Sequence, residues 1–208
     1  MKLSAFRRDG RRYVQIKGKL PAWAAKLPNT KGVFEATHEL LKAIRLNVKA
    51  YRPALSGGRT SVGFGDRTGC ATPGHLGSLK GTPFFPILAQ QSIREMTRTG
   101  RSPDDVMDDA VFGAIQAGWT KGFGADADHL KTEEDITRTA AAGFILFTLD
   151  VGEHIGKGVA VMGGADLQAT AAQNPDFARW KKSYLGKTFL GVTYDERTLL
   201  ETIVKYGK

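Results

Sequence analysis

Cysteine is almost missing from the chain: Cys70 is the one thiol in 208 residues. An internal disulfide and a multi-cysteine zinc site are thereby excluded. No stretch approaches the roughly 18 apolar residues of a membrane-crossing helix, so no membrane partner is expected. The amino-terminal Met1-Lys2-Leu3-Ser4-Ala5-Phe6-Arg7-Arg8 lacks the apolar core of a secretory signal. These absences together lead to the expectation of a cytoplasmic protein. The glycine pairs Gly63/Gly65 and Gly122/Gly124 lack the G-x-G-x-x-G continuation and the Walker lysine, so they read as close-packing positions rather than phosphate loops. Acidic residues are also outnumbered, 21 against 30 basic ones, leaving a net charge of +9. The basic residues cluster at Arg7-Arg8 with Arg11-Arg12, at Arg94, Arg98 and Arg101, and at Lys181-Lys182. No aromatic platform or nucleic-acid module accompanies them, so nucleic acid is not an expected partner. A small anionic substrate suits them better, because guanidinium grips carboxylates bidentately.

Residues 1–58 read as a leading segment with one helix, near Thr37 to Lys49, where Leu40, Leu41, Ile44 and Val48 recur at helical spacing behind a Thr37 cap. From Arg59 a strand-helix rhythm begins. Short strands are expected at Ser61 to Gly65, at Phe84 to Ala89, before Asp126 and at Phe144 to Leu149. Ser102-Pro103-Asp104-Asp105 opens a helix with an N-cap, an N1 proline and an acidic first turn. Thr132 caps the next one, with Asp135 at the capping-box distance. A last helix is expected over Asp195 to Lys208, with Leu199, Leu200, Ile203 and Val204 inward. The continuous apolar run Phe144 to Leu149 marks a strand buried on both faces, hence a parallel sheet. Polar groups follow four successive strands: Asp66; Gln90 and Gln91; Asp126, Asp128 and His129; Asp150 with Glu153 and His154. The alternation suggests a (β/α) barrel or an open doubly wound sheet; in a barrel all four sets converge on one mouth, in an open sheet only those near the switch point. The expected fold is therefore α/β, a (β/α) TIM-barrel-like domain over residues 59–208. A full barrel takes roughly 250 residues, so this one is expected to be incomplete.

The densest chemistry lies in Ala125-Asp126-Ala127-Asp128-His129-Leu130-Lys131-Thr132, with two acids and a histidine within four residues. Such a set can bind a divalent metal, move a proton, or do both. Adjacent side chains serve one site only where the backbone leaves regular strand geometry, since neighbours on a strand point to opposite faces. Arg67 and Arg94, nearest to strand ends, are the candidates for a substrate carboxylate. Gln90, Gln91 and Ser92 suit hydroxyl recognition. Asp66, Lys131, Asp150, His75 and His154 are secondary candidates.

Three strings resemble the tagaturonate epimerase family: Gly63-Phe64-Gly65-Asp66-Arg67 with Ala71-Thr72-Pro73-Gly74-His75, Ala89 to Met96, and Ala125 to Asp135. The strand Phe144 to Asp150 with Gly152-Glu153-His154, and Tyr184-Leu185-Gly186-Lys187, are similar to the family too. Thr68 and Cys70 stand where bulky aliphatic residues are expected, and Val151 where proline is. The resemblance implies a metal-dependent enzyme of hexuronate catabolism that interconverts D-tagaturonate and D-fructuronate. It implies His129 as a metal ligand, Asp128 as the proton acceptor and Asp126 as the carboxylate orienting the histidine. The metal could be Mn, Zn, Ni or Co. Family members are roughly twice as long, and their second half is expected to supply two further histidine ligands and a catalytic glutamate. The missing half is then an expected partner, whether or not it is a separate chain. Two other readings stand beside this one: a class II aldolase-like lyase on the same scaffold, and a non-catalytic fragment.

Overall fold

The computed structural model describes residues 1–152 and 155–207, in two units, Met1–Leu149 and Asp150–Lys208. The first unit begins with β1 (Lys2–Arg8), β2 (Arg11–Lys17), α1 (Ala22–Ala25), β3 (Val33–Glu35) and α2 (His38–Asn47). The three strands form an antiparallel sheet, which the expectation of a single early helix did not contain. Its first turn explains why it forms. Asp9 and Gly10 both have positive φ, 50° and 74°, and Arg8 pairs with Arg11. This is the two-residue turn whose twist matches that of flanking strands. Helix α2 has the expected Thr37 cap, accepting from the Leu40 amide, and buries Leu40, Leu41 and Ile44.

The hairpin sets like charges opposite each other, Arg7 against Arg12 and Arg8 against Arg11, an arrangement that costs stability unless it is offset. The offset comes from α5 (Pro103–Gln116). Arg7 and Arg12 both lie over the Phe112 ring, at 5.5 and 5.4 Å, and Arg12 pairs with Asp109. Part of the basic surplus is thus structural.

The second sheet holds β4 (Ser61–Gly63), β5 (Phe85–Ser92), β6 (Gly124–Leu130) and β7 (Leu146–Leu149), all parallel and in sequential order. Helices α3 (Thr72–Ser78), α4 (Ile93–Thr99), α5 and α6 (Glu133–Ala141) make the connections. The result is a mixed α/β unit with a curled, half-barrel parallel sheet. The capping expected from sequence is present in α5, where Ser102 and Asp105 form a full capping box behind Pro103. In α6 the box is half formed. Thr132 accepts from the Asp135 amide, but the Asp135 carboxylate turns to Arg138. One core takes Val14, Phe34 and Leu41 from the leading segment together with Leu88, Phe112 and Ala125. Residues 1–58 therefore pack into the same core as the parallel sheet and its helices rather than standing apart.

The run ending in β7 departs from expectation. It is an edge strand, with Phe147 39% and Leu149 58% exposed. An apolar sequence records what a strand is built to touch. Here that surface lacks a second neighbour among the described residues.

Asp108 on α5 carries a cost of its own. Its carboxyl is buried, and burial raises its pKa to about 6 despite the opposing hydrogen bond from His38 Nδ1 at 2.8 Å. The folded protein keeps this proton up to about pH 6, whereas the unfolded chain releases it near the ordinary ~3.9. Stability therefore falls as pH rises through that window. Asp108→Asn is expected to be more stable than the parent by about 1–3 kcal/mol at pH 7.5. The advantage should disappear at pH 4 in urea titrations at the two pH values. An advantage equal at both would refute the assignment.

The second unit contains α7 (Gly164–Ala172), α8 (Phe177–Tyr184), β8 (Thr188–Phe189), β9 (Val192–Thr193) and α9 (Glu196–Tyr206). The expected last helix is α9, capped by Asp195, with Leu199, Leu200 and Ile203 buried and Val204 partly so.

Candidate active site

The octapeptide was expected just past a strand; most of it is instead the strand β6 itself. Ala125 and Ala127 face the helices and are fully buried, while Asp126 and Asp128 occupy the opposite face. Pairing with β7 runs Asp126–Leu146 and Ala127–Phe147, then resumes at Leu130–Leu149. One extra residue on β6 is a bulge, and His129 sits in it with φ of +54°. The bulge returns Leu130 to the helix-facing core, where regular alternation would have put it beside the acids. It also brings neighbours together: His129 Nδ1 lies 2.8 Å from Asp128 Oδ1. This is the departure from strand geometry that adjacent site residues require.

β5 repeats the device one strand away. Pairing runs Ile87–Gly124 and Leu88–Ala125, then Gln91–Ala127, and Ala89 has φ of +55°. The extra residue turns Gln90 to the Asp126 face and sends Gln91 to the helices. Gln90 Nε2 lies 3.4 Å from Asp126 Oδ2. Gln91 is 1% exposed, and its Oε1 accepts from Arg101, 3.0 Å away. Gln90 and Gln91, grouped together in the sequence, thus point to opposite sides. Both polar residues and Ser92 belong to the strand rather than following it.

Thr148 completes the face. Its hydroxyl donates to Asp126, 3.0 and 3.2 Å from the two carboxylate oxygens. Burial raises the Asp126 pKa, helped by the nearby Asp128 charge and opposed by the bonds from Thr148 and Gln90. A cavity of about 340 Å³ opens here, lined by Gly63, Ile87, Gln90, Asp126, Leu146 and Thr148 among others. Sequence reading missed Thr148 because it lies inside an apolar run. Its place beside Asp126, two residues past Leu146, follows from the strand pairing alone.

The remaining candidates lie elsewhere. Asp66 is 8% exposed and accepts from the amides of Thr68, Gly69, Cys70, Ala71 and Thr72. Burial raises its pKa, but these backbone bonds outweigh burial and hold it below the usual range. Its role is to fold the loop into α3. Arg67 is exposed and spent on Glu95. Ser92 caps α4 in a full box with Glu95, and Arg94 is exposed on that helix. His75 stacks on Phe64 with ring centroids 4.8 Å apart. Lys131 is exposed just past β6. Asp150 belongs to the second unit, where its carboxylate accepts from the Gly152 amide at 3.0 Å. His154 lies outside the described residues. The carboxylate in contact with His129 Nδ1 is that of Asp128, whereas Asp126 accepts from Thr148 and Gln90.

Among the described residues no group of three His, Cys, Asp or Glu side chains could hold a metal ion. The described residues therefore offer at most part of a metal site. They provide one imidazole with a carboxylate behind it, the second-sphere arrangement of a metal-bound histidine. No helix among them is long and apolar enough to cross a membrane.

The family model described as tagaturonate epimerase matches residues 13–208. The chain belongs to the tagaturonate epimerase family. It is similar to a tagaturonate/fructuronate epimerase of Thermotoga maritima, 39% identical over 176 residues, which are 83% of this chain and 36% of that protein. It also matches crystal structures of a fructuronate-tagaturonate epimerase from Cohnella laeviribosi. The native form has a TM-score of 0.85 at 33% identity, over 99% of this chain and 44% of that one. A glycerol complex has a TM-score of 0.86 at 32% identity, with the same coverage. The chain thus spans less than half the length of these epimerase relatives.

Proposed function

We propose that this chain is one part of an epimerase interconverting D-tagaturonate and D-fructuronate. The observation that carries the reading is the Asp128–His129 pair, held by a bulge two residues along the strand from Asp126, which lines a cavity on the open face of the parallel sheet. Family membership supplies the substrate class. Strands in sequential order, with β4 and β7 at the edges, support reading the sheet as the first part of a TIM-type barrel. Its remainder would come from the length that the relatives have in addition.

The two ketouronates differ at a hydroxyl-bearing carbon β to the ketone. A hydrogen on that carbon is not acidic, whereas its hydroxyl is placed for retro-aldol cleavage. In this reading Asp128 Oδ2 takes the hydroxyl proton while Oδ1 holds the Nδ1–H of His129. The carbon–carbon bond breaks to give an aldehyde and an enediolate. The aldehyde rotates, and re-addition followed by return of the proton inverts the centre. His129 Nε2 would be this chain's ligand to a divalent cation, which when bound would polarise the ketone oxygen.

Two measurements test this. Epimerisation in D₂O by an enzyme of full family length containing this chain is expected to leave the inverted carbon unlabelled. Substantial deuterium there would sink the retro-aldol route in favour of direct deprotonation. Calorimetry with Mn²⁺ or Zn²⁺ on this chain alone is expected to show weak binding, because one imidazole and neighbouring carboxylates make an incomplete site. Sub-micromolar affinity would mean that the ligand set is already whole.

A further inference from the structure

The Asp126 face does more than support its neighbours. Thr148 and Gln90, both neutral donors, occupy part of the Asp126 carboxylate, and the bulge at Ala89 exists at the position that turns Gln90 towards it. Gly63 makes room for this: a Cβ there would lie 2.4 Å from Gln90 Oε1. A carboxylate has about four lone-pair sites, and these contacts leave capacity facing the cavity. Among the described residues, no lysine or arginine lines that cavity. Such a surface accepts hydrogen bonds from hydroxyls and repels an anion. Asp126 and Asp128 are two residues apart on one strand face, about 7 Å along it, the span of a few sugar carbons.

Resting on the epimerase reading, we propose that Gln90, Asp126 and Thr148 form a shelf that grips the hydroxylated carbons of the ketouronate and turns its carboxylate away. The shelf fixes the direction in which the substrate lies past Asp128. Thr148 and Gln90 are positioning residues, acting by holding the Asp126 oxygens, and Asp126 itself accepts from substrate hydroxyls.

The test uses an enzyme of full family length containing this chain, with Thr148→Val, Thr148→Ser and Asp128→Asn variants. Thr148→Val keeps the side-chain shape and removes the hydroxyl. It is expected to raise KM about tenfold, the effect of one lost hydrogen bond of ~1.4 kcal/mol, with kcat changed less than threefold. Thr148→Ser should return KM to within about threefold of the parent, which a purely structural role for the threonine methyl would not do. A neutral pentitol should inhibit competitively, and its inhibition constant should weaken in parallel with KM in Thr148→Val. An unchanged KM in Thr148→Val, a loss confined to kcat, or failure of the serine variant to rescue would each overturn the shelf. Asp128→Asn separates the two readings. If it stays active, the epimerase mechanism fails; if it is inactive while Thr148→Val behaves as the parent, the shelf alone fails.

Discussion

Asp128→Asn, in an enzyme of full family length containing this chain, is expected to lower kcat/KM by roughly 10²–10⁴, the usual worth of a positioned general base. Asparagine keeps the size of the side chain and an oxygen for His129 Nδ1, so the fold and the imidazole orientation should survive. What disappears is the ability of the second oxygen to take the hydroxyl proton. The loss should fall on kcat with KM nearly unchanged, because the proton moves in the transition state rather than on binding. His129→Ala in the same enzyme should lose a comparable factor and weaken cation affinity in calorimetry. Were Asp128→Asn to retain more than about a tenth of parental kcat/KM, the general-base role would have to move to another group. Asp126, on the same face, is the first to examine.

Asp109→Ala should destabilise the first unit by about 3–5 kcal/mol, as for breaking a largely buried ion pair. Asp109 is 13% exposed at its side chain and pairs with both Arg12 and Arg101. Removing it leaves the Arg12 guanidinium against Arg7 on the hairpin, without the carboxylate that opposes the repulsion. Arg101 would keep its bonds to the Asp66 carbonyl, at 2.7 Å, and to Gln91. Its buried charge, however, would go unmatched. Gly69 is built around the same carboxylate. Its φ is +70°, and a Cβ there would lie 2.1 Å from an Asp109 oxygen. Chemical denaturation of Asp109→Ala and Asp109→Asn should show the alanine variant far weaker and the asparagine variant intermediate. A loss below about 1 kcal/mol, the range of exposed pairs, would show that this network contributes little.

The two sheets were unequally legible. The Asp9-Gly10 turn is a local hairpin signal, but it is flanked by four arginines whose like charges oppose the pairing that the strands make. The helices of the parallel sheet were easier. Ser102 before Pro103 and Thr132 before an acidic turn are local chemistry, and both cap as expected. Gln90, Gln91 and Ser92 were harder, because three neighbouring polar residues look alike in sequence. One bulge sends the first to the cavity and the second to the helices, while the third caps α4. The arginines proposed for a substrate carboxylate illustrate the same limit. Arg67 is paired with Glu95 across 28 positions of chain, which spacing cannot reveal.

By itself the sequence determined the strand-helix rhythm, the caps, the family and the octapeptide that carries Asp126, Asp128 and His129, because each rests on local propensity or on a contiguous string. Tertiary structure alone decided which side of the sheet each polar residue serves. A strand has period two, so one inserted residue reverses every side chain beyond it. The insertions at Ala89 and His129 are visible only once the pairing partners are known. That is why Asp126 proved to belong with Gln90 and Thr148, and Asp128 with His129.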